Sequence, residues 1–343
     1  MLASVMVDDA LIAGIFEGRA AAVARAASII ENRSNGVDAL LAALEPRLGR
    51  ARRIGLTGPP GAGKSTLAAG LTTALRARAL RVAVLAVDPT SPFTGGALLG
   101  DRIRLERVAL DPGVFIRSMA TRGSLGGLAA ASRDVCDLLD AAGFDCIVVE
   151  TVGVGQSELD VASMVDQVIL VLVPESGDGI QALKSGVMEA ADIIVINKAD
   201  RPGAEPLRRD IEMALDLRTG PMERRRATTD LWRSPVVLTT ALNGTGVPGV
   251  LDRLDQHWNW LAEGDGLRLR RRQRLTNRVR DLVDRAMQRW TWTTRGGAAQ
   301  LAQALAGLEA AELTAITTAA RIVAAVQGSA AGEQAPRTDP SLR

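Results

Sequence analysis

The chain of 343 residues has one histidine, His257, two cysteines, Cys136 and Cys146, and no tyrosine. A single imidazole and no Cys-x-x-Cys pair leave nothing from which to build a His/Cys metal cluster, and no disulfide framework points to an oxidising compartment. Both cysteines sit in apolar surroundings and read as core residues. His257 reads as a surface or capping histidine. Aromatics make up 3% of the chain, too few for the stacking platforms that hold single-stranded nucleic acid. The formal net charge of +2 gives no general attraction to a phosphate backbone, so no nucleic-acid partner is expected. Long apolar runs are missing too: VILVLV at 168–173 is far short of the roughly 20 residues that cross a bilayer. The first residues carry Asp8 and Asp9 instead of a basic leader, so neither a membrane nor a secretory route is expected, and the location reads as cytoplasmic.

Glycine, by contrast, is plentiful, with 34 residues. The stretch GLTGPPGAGKSTLAAGL at 55–71 has the G-x-x-x-x-G-K-[ST] spacing of a phosphate-binding loop. The loop runs through Gly58, Pro59, Pro60, Gly61, Ala62 and Gly63, and its glycines let successive N–H groups turn inward around an anion. It leads into a helix whose positive end opens at Lys64. Lys64 would reach the β- and γ-phosphates of a nucleotide, Ser65 would offer its hydroxyl to magnesium, and Thr66 follows in the same turn.

Around this loop the sequence alternates strands and helices. RIGLT, RVAVLAVD, VFIRS, FDCIVVET, QVILVLVP, DIIVINK and PVVLTTA are near-continuous apolar runs, the pattern of a mostly parallel sheet covered by helices on both faces. Residues 1–50 have helical spacing and form a helical N-terminal arm, 51–260 the α/β domain, 261–327 a helical C-terminal arm, and 328–343 a polar tail expected to be disordered.

The tetrapeptide NKAD, Asn197 to Asp200, stands after the sixth strand. An aspartate there accepts hydrogen bonds from guanine N1–H and its exocyclic amine, which adenine cannot supply, so GTP is preferred over ATP. Asn197 and Lys198 would brace the phosphate loop and lie against the base, and Thr240, Ala241 and Leu242, after the seventh strand, would back it. Magnesium takes hard oxygen ligands and keeps several waters. Ser65 with carboxylates from among Asp88, Asp101 and Glu150 supplies such a set, Asp88 and Glu150 standing at strand ends, where ligands of open α/β sheets gather. Glu150 is followed by a glycine loop at Gly153, and Lys184 closes the segment PESGDGIQALKSG.

Together GPPGAGKSTL, VDPTSPFTGGALLGDRIR, FIRSMATRGSLGGL, ETVGVGQSE, GDGIQALKSG and NKAD resemble the MeaB/ArgK family of G-protein chaperones, whose mammalian relative is MMAA. The resemblance implies a P-loop NTPase G domain of the SIMIBI type with helical N- and C-terminal extensions. It also implies a Mg2+-dependent GTPase releasing GDP and phosphate. The implied partner is an adenosylcobalamin-dependent acyl-CoA mutase such as methylmalonyl-CoA mutase, which itself binds the adenosylcobalamin, and the implied assembly is a homodimer. Asp88 then lies in a first switch, Glu150 and Gly153 in a second, and Lys184 in a third, where it has a catalytically coupled role. The rival reading is an ATP-dependent kinase or ATPase linked to transport of arginine and ornithine. The arginine-rich LRLRRRQRL at 267–275 reads as a solvated helix face.

Overall fold

The computed structural model describes residues 8–88, 108–120, 125–151, 161–174, 187–218 and 231–331. The chain forms two compact units, Met1–Arg272 and Gln273–Arg343. The first is built on seven strands: β1 (Arg52–Thr57), β2 (Val82–Asp88), β3 (Val114–Ala120), β4 (Cys146–Thr151), β5 (Gln167–Leu172), β6 (Ile193–Ile196) and β7 (Val236–Leu238). All pair in parallel, in the order β3-β2-β4-β1-β5-β6-β7. Each apolar run noted above supplies one strand. β1, β4 and β5 are buried along nearly their whole length, as a sheet covered on both faces requires.

Helices α1 (Asp9–Phe16), α2 (Ala20–Glu31), α3 (Val37–Leu44), α4 (Lys64–Arg76), α5 (Leu125–Ala141), α6 (Val187–Ala190), α7 (Ala204–Arg218) and α8 (Val247–Glu263) cover it. Alternation along β5 divides the faces. Ile169 and Val171 join Leu67, Leu71 and Leu254 beneath α4 and α8. Val168, on the opposite face, belongs with Leu138 and Leu139 of α5 and with Ile15, Ile30 and Leu40 of α1–α3. The N-terminal helices are therefore part of the same core. Leu170 and Leu172 meet Ile211 of α7 on that second face. Cys136 and Cys146 are buried and form no disulfide.

Three aspartates stand one residue before a strand and tie it to its neighbour. Asp145 donates its N–H to Arg81 O (2.9 Å) while its carboxylate accepts Arg81 N–H (2.7 Å). Asp166 does the same with Arg53 (2.9 and 3.0 Å), and Asp192 with Val168 (2.9 and 2.8 Å). Each carboxylate thus gives a partner to a main-chain N–H at or next to the start of the neighbouring strand.

The same end of the sheet gathers buried charge. Arg53 Nη2 bonds Asp137 (2.8 Å) and Asp140 (3.0 Å), and Asp140 also accepts the N–H groups of Gly49, Arg50 and Ala51. Arg270, near the start of α9 (Gly266–Arg289), holds Asp192 through its two terminal guanidinium nitrogens, Nη1 and Nη2 (2.8 and 2.7 Å). Arg271 lies 3.4 Å from Asp166. The expectation of a solvated arginine face is thus corrected at these two positions: burial of Asp166 and Asp192 demands partners, and the helix supplies them. Arg268, in contrast, is exposed and pairs with exposed Asp265.

His257 is also corrected, since it is fully buried on α8. Gln167 Nε2 lies 3.0 Å from its Nδ1 and, as a donor, places the imidazole proton on Nε2, which faces Asp192 Oδ1 at 3.4 Å. Trp260 stacks on the ring and Trp232 tilts against it. In the second unit, the remainder of α9, a π-turn at Trp290–Thr294, α10 (Gly297–Glu309) and α11 (Ala315–Ala331) follow one another.

Burial lowers the His257 pKa to about 4, with Arg270 and Arg52 acting in the same direction and Asp192 opposing them. The folded state therefore prefers the neutral ring, so stability is complete above about pH 6.5 and falls as the pH drops toward 4. Urea midpoints at pH 7.5 and 5.0 should show a loss of about 1–2 kcal/mol that is missing from His257→Gln. An equal pH response in wild type and variant would remove His257 as its source.

Candidate functional site

The C-terminal ends of the strands, opposite the aspartate-rich end, carry the polar residues singled out from the sequence. Between β1 and α4 the loop Gly58–Gly63 turns on three glycines with positive φ, at 58, 61 and 63. Two of them are required by close approach. A Cβ on Gly58 would sit 2.1 Å from Val171 O, and one on Gly63 would sit 2.3 Å from Asn197 Nδ2. Both positions combine positive φ with backbone or buried side-chain contact, so only glycine fits.

Lys64 and Ser65 open α4 and are buried. The Lys64 ammonium donates to Gly58 O (2.7 Å) and Pro59 O (2.8 Å), so the cation lies within the loop that it would serve. Ser65 Oγ donates to Glu150 Oε1 across 2.6 Å. Glu150 is the fifth residue of β4 and pairs with Leu56 of β1, which brings its carboxylate to the base of the loop. Thr66 is half-buried in the same helical turn.

Asn197 follows β6 and is 3% exposed. Its Nδ2 donates to Ala62 O (2.8 Å), while its Oδ1 accepts from Thr239 Oγ1 (3.1 Å) and Ala241 N–H (3.0 Å). One side chain thus joins the phosphate loop to the turn after β7. Lys198 adopts φ +57°, rare for a side-chain-bearing residue, and so carries the chain round to Asp200. Asp200 is exposed, and Thr240 Oγ1 donates to its Oδ1 at 3.3 Å. Leu242 is 87% exposed at the tip of that turn.

The structure therefore brings together Gly58 to Thr66, Glu150, Asn197, Lys198, Asp200 and residues 240–242. Of Asp88 only the main chain is described, at the end of β2. Asp101, Gly153 and Lys184 lie outside the described residues. Thr239 was missed from sequence, although it is the first residue of a Thr-Thr-Ala run directly after an apolar strand; its hydroxyl is one of the three groups that hold the Asn197 amide. The Ser65 hydroxyl and Glu150 carboxylate suit a hard cation that retains water and phosphate oxygens. Among the described residues no group of three or more His, Cys, Asp or Glu could hold a metal, and no helix is long and apolar enough to cross a membrane.

Residues 23–295 match the family model described as Methylmalonyl Co-A mutase-associated GTPase MeaB. A relative from Pyrococcus horikoshii is 46% identical over 275 residues, which are 80% of this chain and 85% of its own. The mouse protein named methylmalonic aciduria type A homolog, mitochondrial, is 36% identical over 273 residues, 75% of this chain and 65% of its own. Among solved structures, that of a LAO/AO transport system kinase aligns with a TM-score of 0.67 at 27% identity, over 94% of this chain and 99% of that one. A seven-stranded parallel sheet with a glycine-rich loop after its first strand, joined by Asn197 to the NKAD turn, fits that match over well more than half of the sequence, and the chain belongs to the MeaB family of GTPases.

Proposed function

We propose that this protein binds GTP at the loop Gly58–Ser65 and hydrolyses it to GDP and phosphate. We further propose that its nucleotide state gates the loading of adenosylcobalamin into an acyl-CoA mutase, such as methylmalonyl-CoA mutase, and protects that enzyme. The observation carrying the nucleotide reading is the Asn197 clamp, which sets a carboxylate, Asp200, on the turn that is tied to the phosphate loop. The mutase reading is supported by the family description.

On phosphate binding the Lys64 ammonium exchanges the carbonyls of Gly58 and Pro59 for phosphoryl oxygens, and there it neutralises charge that develops during transfer. Ser65 and Glu150 would hold magnesium, with Asp88 and Asp101 as further candidates. Bound there, the ion would supply positive charge to offset the phosphates. Asp200 accepts the two guanine protons, and Lys198 lies along the base. Lys184 and Gly153 belong to segments that sense the γ-phosphate.

Pairing of two copies is supported by the second unit. On α9, Leu275, Val279, Val283 and Met287 recur every fourth residue and are each at least half exposed. Such an exposed run of large apolar residues on one helix is unusual on a monomer and suits a contact with a second copy. The protein acts in the cytoplasm as a homodimer. The rival, an ATP-dependent kinase tied to basic amino-acid transport, follows from the likeness to the transport system kinase and requires adenine recognition that Asp200 opposes.

Calorimetric titration separates the two: GTP should bind more tightly than ATP, and Asp200→Asn should cost about 1–3 kcal/mol of that preference. Tighter ATP binding by the wild type would reject the guanine reading. Asn197→Ala should weaken GTP by a further margin, roughly 2–3 kcal/mol, because Ala62 O and Ala241 N–H lose their shared partner; retained affinity would show that the clamp is dispensable. Lys184→Ala should leave intrinsic turnover within about tenfold of wild type but abolish acceleration by a purified mutase, and full stimulation of this variant would exclude a coupling role for Lys184.

A further inference from the structure

Lysine is nearly absent from this chain. Of 41 lysines and arginines, 38 are arginine, and the three lysines are Lys64, Lys184 and Lys198. Each falls in one of the motifs read above as contacting or sensing the nucleotide: the phosphate loop, the segment PESGDGIQALKSG and NKAD. The distinction is chemical. A guanidinium keeps its proton and resists acylation, whereas an ε-amine can give up its proton and become a nucleophile. Every side-chain amine that can be acylated therefore belongs to those three motifs.

The two lysines among the described residues are not equivalent. Lys64 is buried, and its ammonium donates to Gly58 O and Pro59 O, which shields the nitrogen. Lys198 is half-buried, between Asn197 and exposed Asp200, and its side chain makes no hydrogen bond or ion pair among the described residues. Its main chain, by contrast, is fixed. Asn197 N–H donates to Leu172 O (2.8 Å), Ala199 N–H to Thr239 O (2.9 Å) and Arg201 N–H to Lys198 O (3.0 Å). A rigid turn thus carries an uncommitted, reachable amine two residues from the carboxylate proposed to read guanine.

We propose that Lys198 is a site of regulatory acylation by acyl-CoA thioesters, and that the modification switches off guanine-nucleotide binding. In this step the unprotonated Nζ attacks the thioester carbonyl carbon. The C–N bond forms as the C–S bond breaks, and coenzyme A leaves as the thiol, carrying the proton that the amine loses. Nothing is oxidised or reduced. The product is a neutral amide, so the cation along the base is lost and an acyl chain takes its space. The donor follows from the proposed client: an enzyme that works on acyl-CoA keeps such thioesters beside this protein, and their accumulation would lower its GTP-bound fraction. The proposal rests on that client and on the guanine reading of the cleft.

To test it, nucleotide-free full-length protein is incubated with excess propionyl-CoA in mildly alkaline buffer, and adducts are mapped by peptide mass spectrometry. Lys198 should be acylated while Lys64 stays unmodified in the folded protein. Acylation confined to other amines, or faster at Lys64 than at Lys198, overturns the proposal. The acylated protein should bind GTP about tenfold more weakly, the worth of a cation over an aromatic face, in proportion to the Lys198 adduct. Lys198→Arg keeps a cation that cannot be acylated, so its own GTP affinity, whatever the starting value, should not change on treatment. An equal loss in this variant places the effect elsewhere and overturns the switch. GDP at about a hundredfold its Kd should cut the Lys198 adduct by at least about tenfold, and undiminished labelling under bound GDP overturns the link between Lys198 and the base. A wild type that binds no guanine nucleotide would instead reject the guanine reading, while the adduct map of the nucleotide-free protein still decides whether Lys198 is the reactive amine.

Discussion

A single buried carboxamide holds the nucleotide cleft together. Asn197 and Ala62 are 135 residues apart in the chain, yet the amide of one and the carbonyl of the other share a hydrogen bond in a place too enclosed for water to substitute. Its oxygen commits both lone pairs to the turn after β7. Because the amide reaches so close, position 63 has no room for a side chain, and the loop glycine and the asparagine form one constraint. A cleft fixed in this way before ligand arrives loses less freedom on binding, which favours affinity.

Around that clamp the sheet separates two kinds of polar chemistry by length alone. At the C-terminal ends of the strands stand groups with capacity to exchange partners, such as the Lys64 ammonium on two carbonyls and the Ser65–Glu150 pair. At the N-terminal ends stand buried charges held by opposite charges: Arg53 between Asp137 and Asp140, and Asp192 against Arg270, with Val168 N–H donating to it and His257 facing it. Charges taken out of water hold a fold only when each is matched, and the second set meets that condition. The first set can respond to a ligand.

Much of this was legible in the sequence because it rests on local signals. Seven apolar runs became seven strands, and the phosphate loop and NKAD lie where strand ends put them. The remainder depends on partners that are distant in the chain. His257 has no neighbour in sequence that announces Gln167, Asp192 or the two indoles that enclose it. Arg270 and Arg271 looked like members of a solvated run because the aspartates that bind them lie 78 and 105 residues earlier. The role of Thr239 likewise emerges only once β6 and β7 are adjacent. One further signal was present and local: an aspartate one residue ahead of the runs CIVVE, QVILVL and IIVI, which marks where a buried parallel strand begins.

Those three strand-leading aspartates have a consequence for how natural variation in this chain would be experienced by a cell. Replacing one leaves every group in the nucleotide cleft in place but frees a strand start, so damage takes the form of fewer folded molecules, triaged by chaperones and proteases. Replacing an exposed cleft residue such as Asp200 disturbs few packing contacts and would yield a folded protein that does not respond. Two inherited lesions with the same loss of output would therefore differ in remedy, since lower temperature or a stabilising ligand could rescue the first kind and neither could rescue the second.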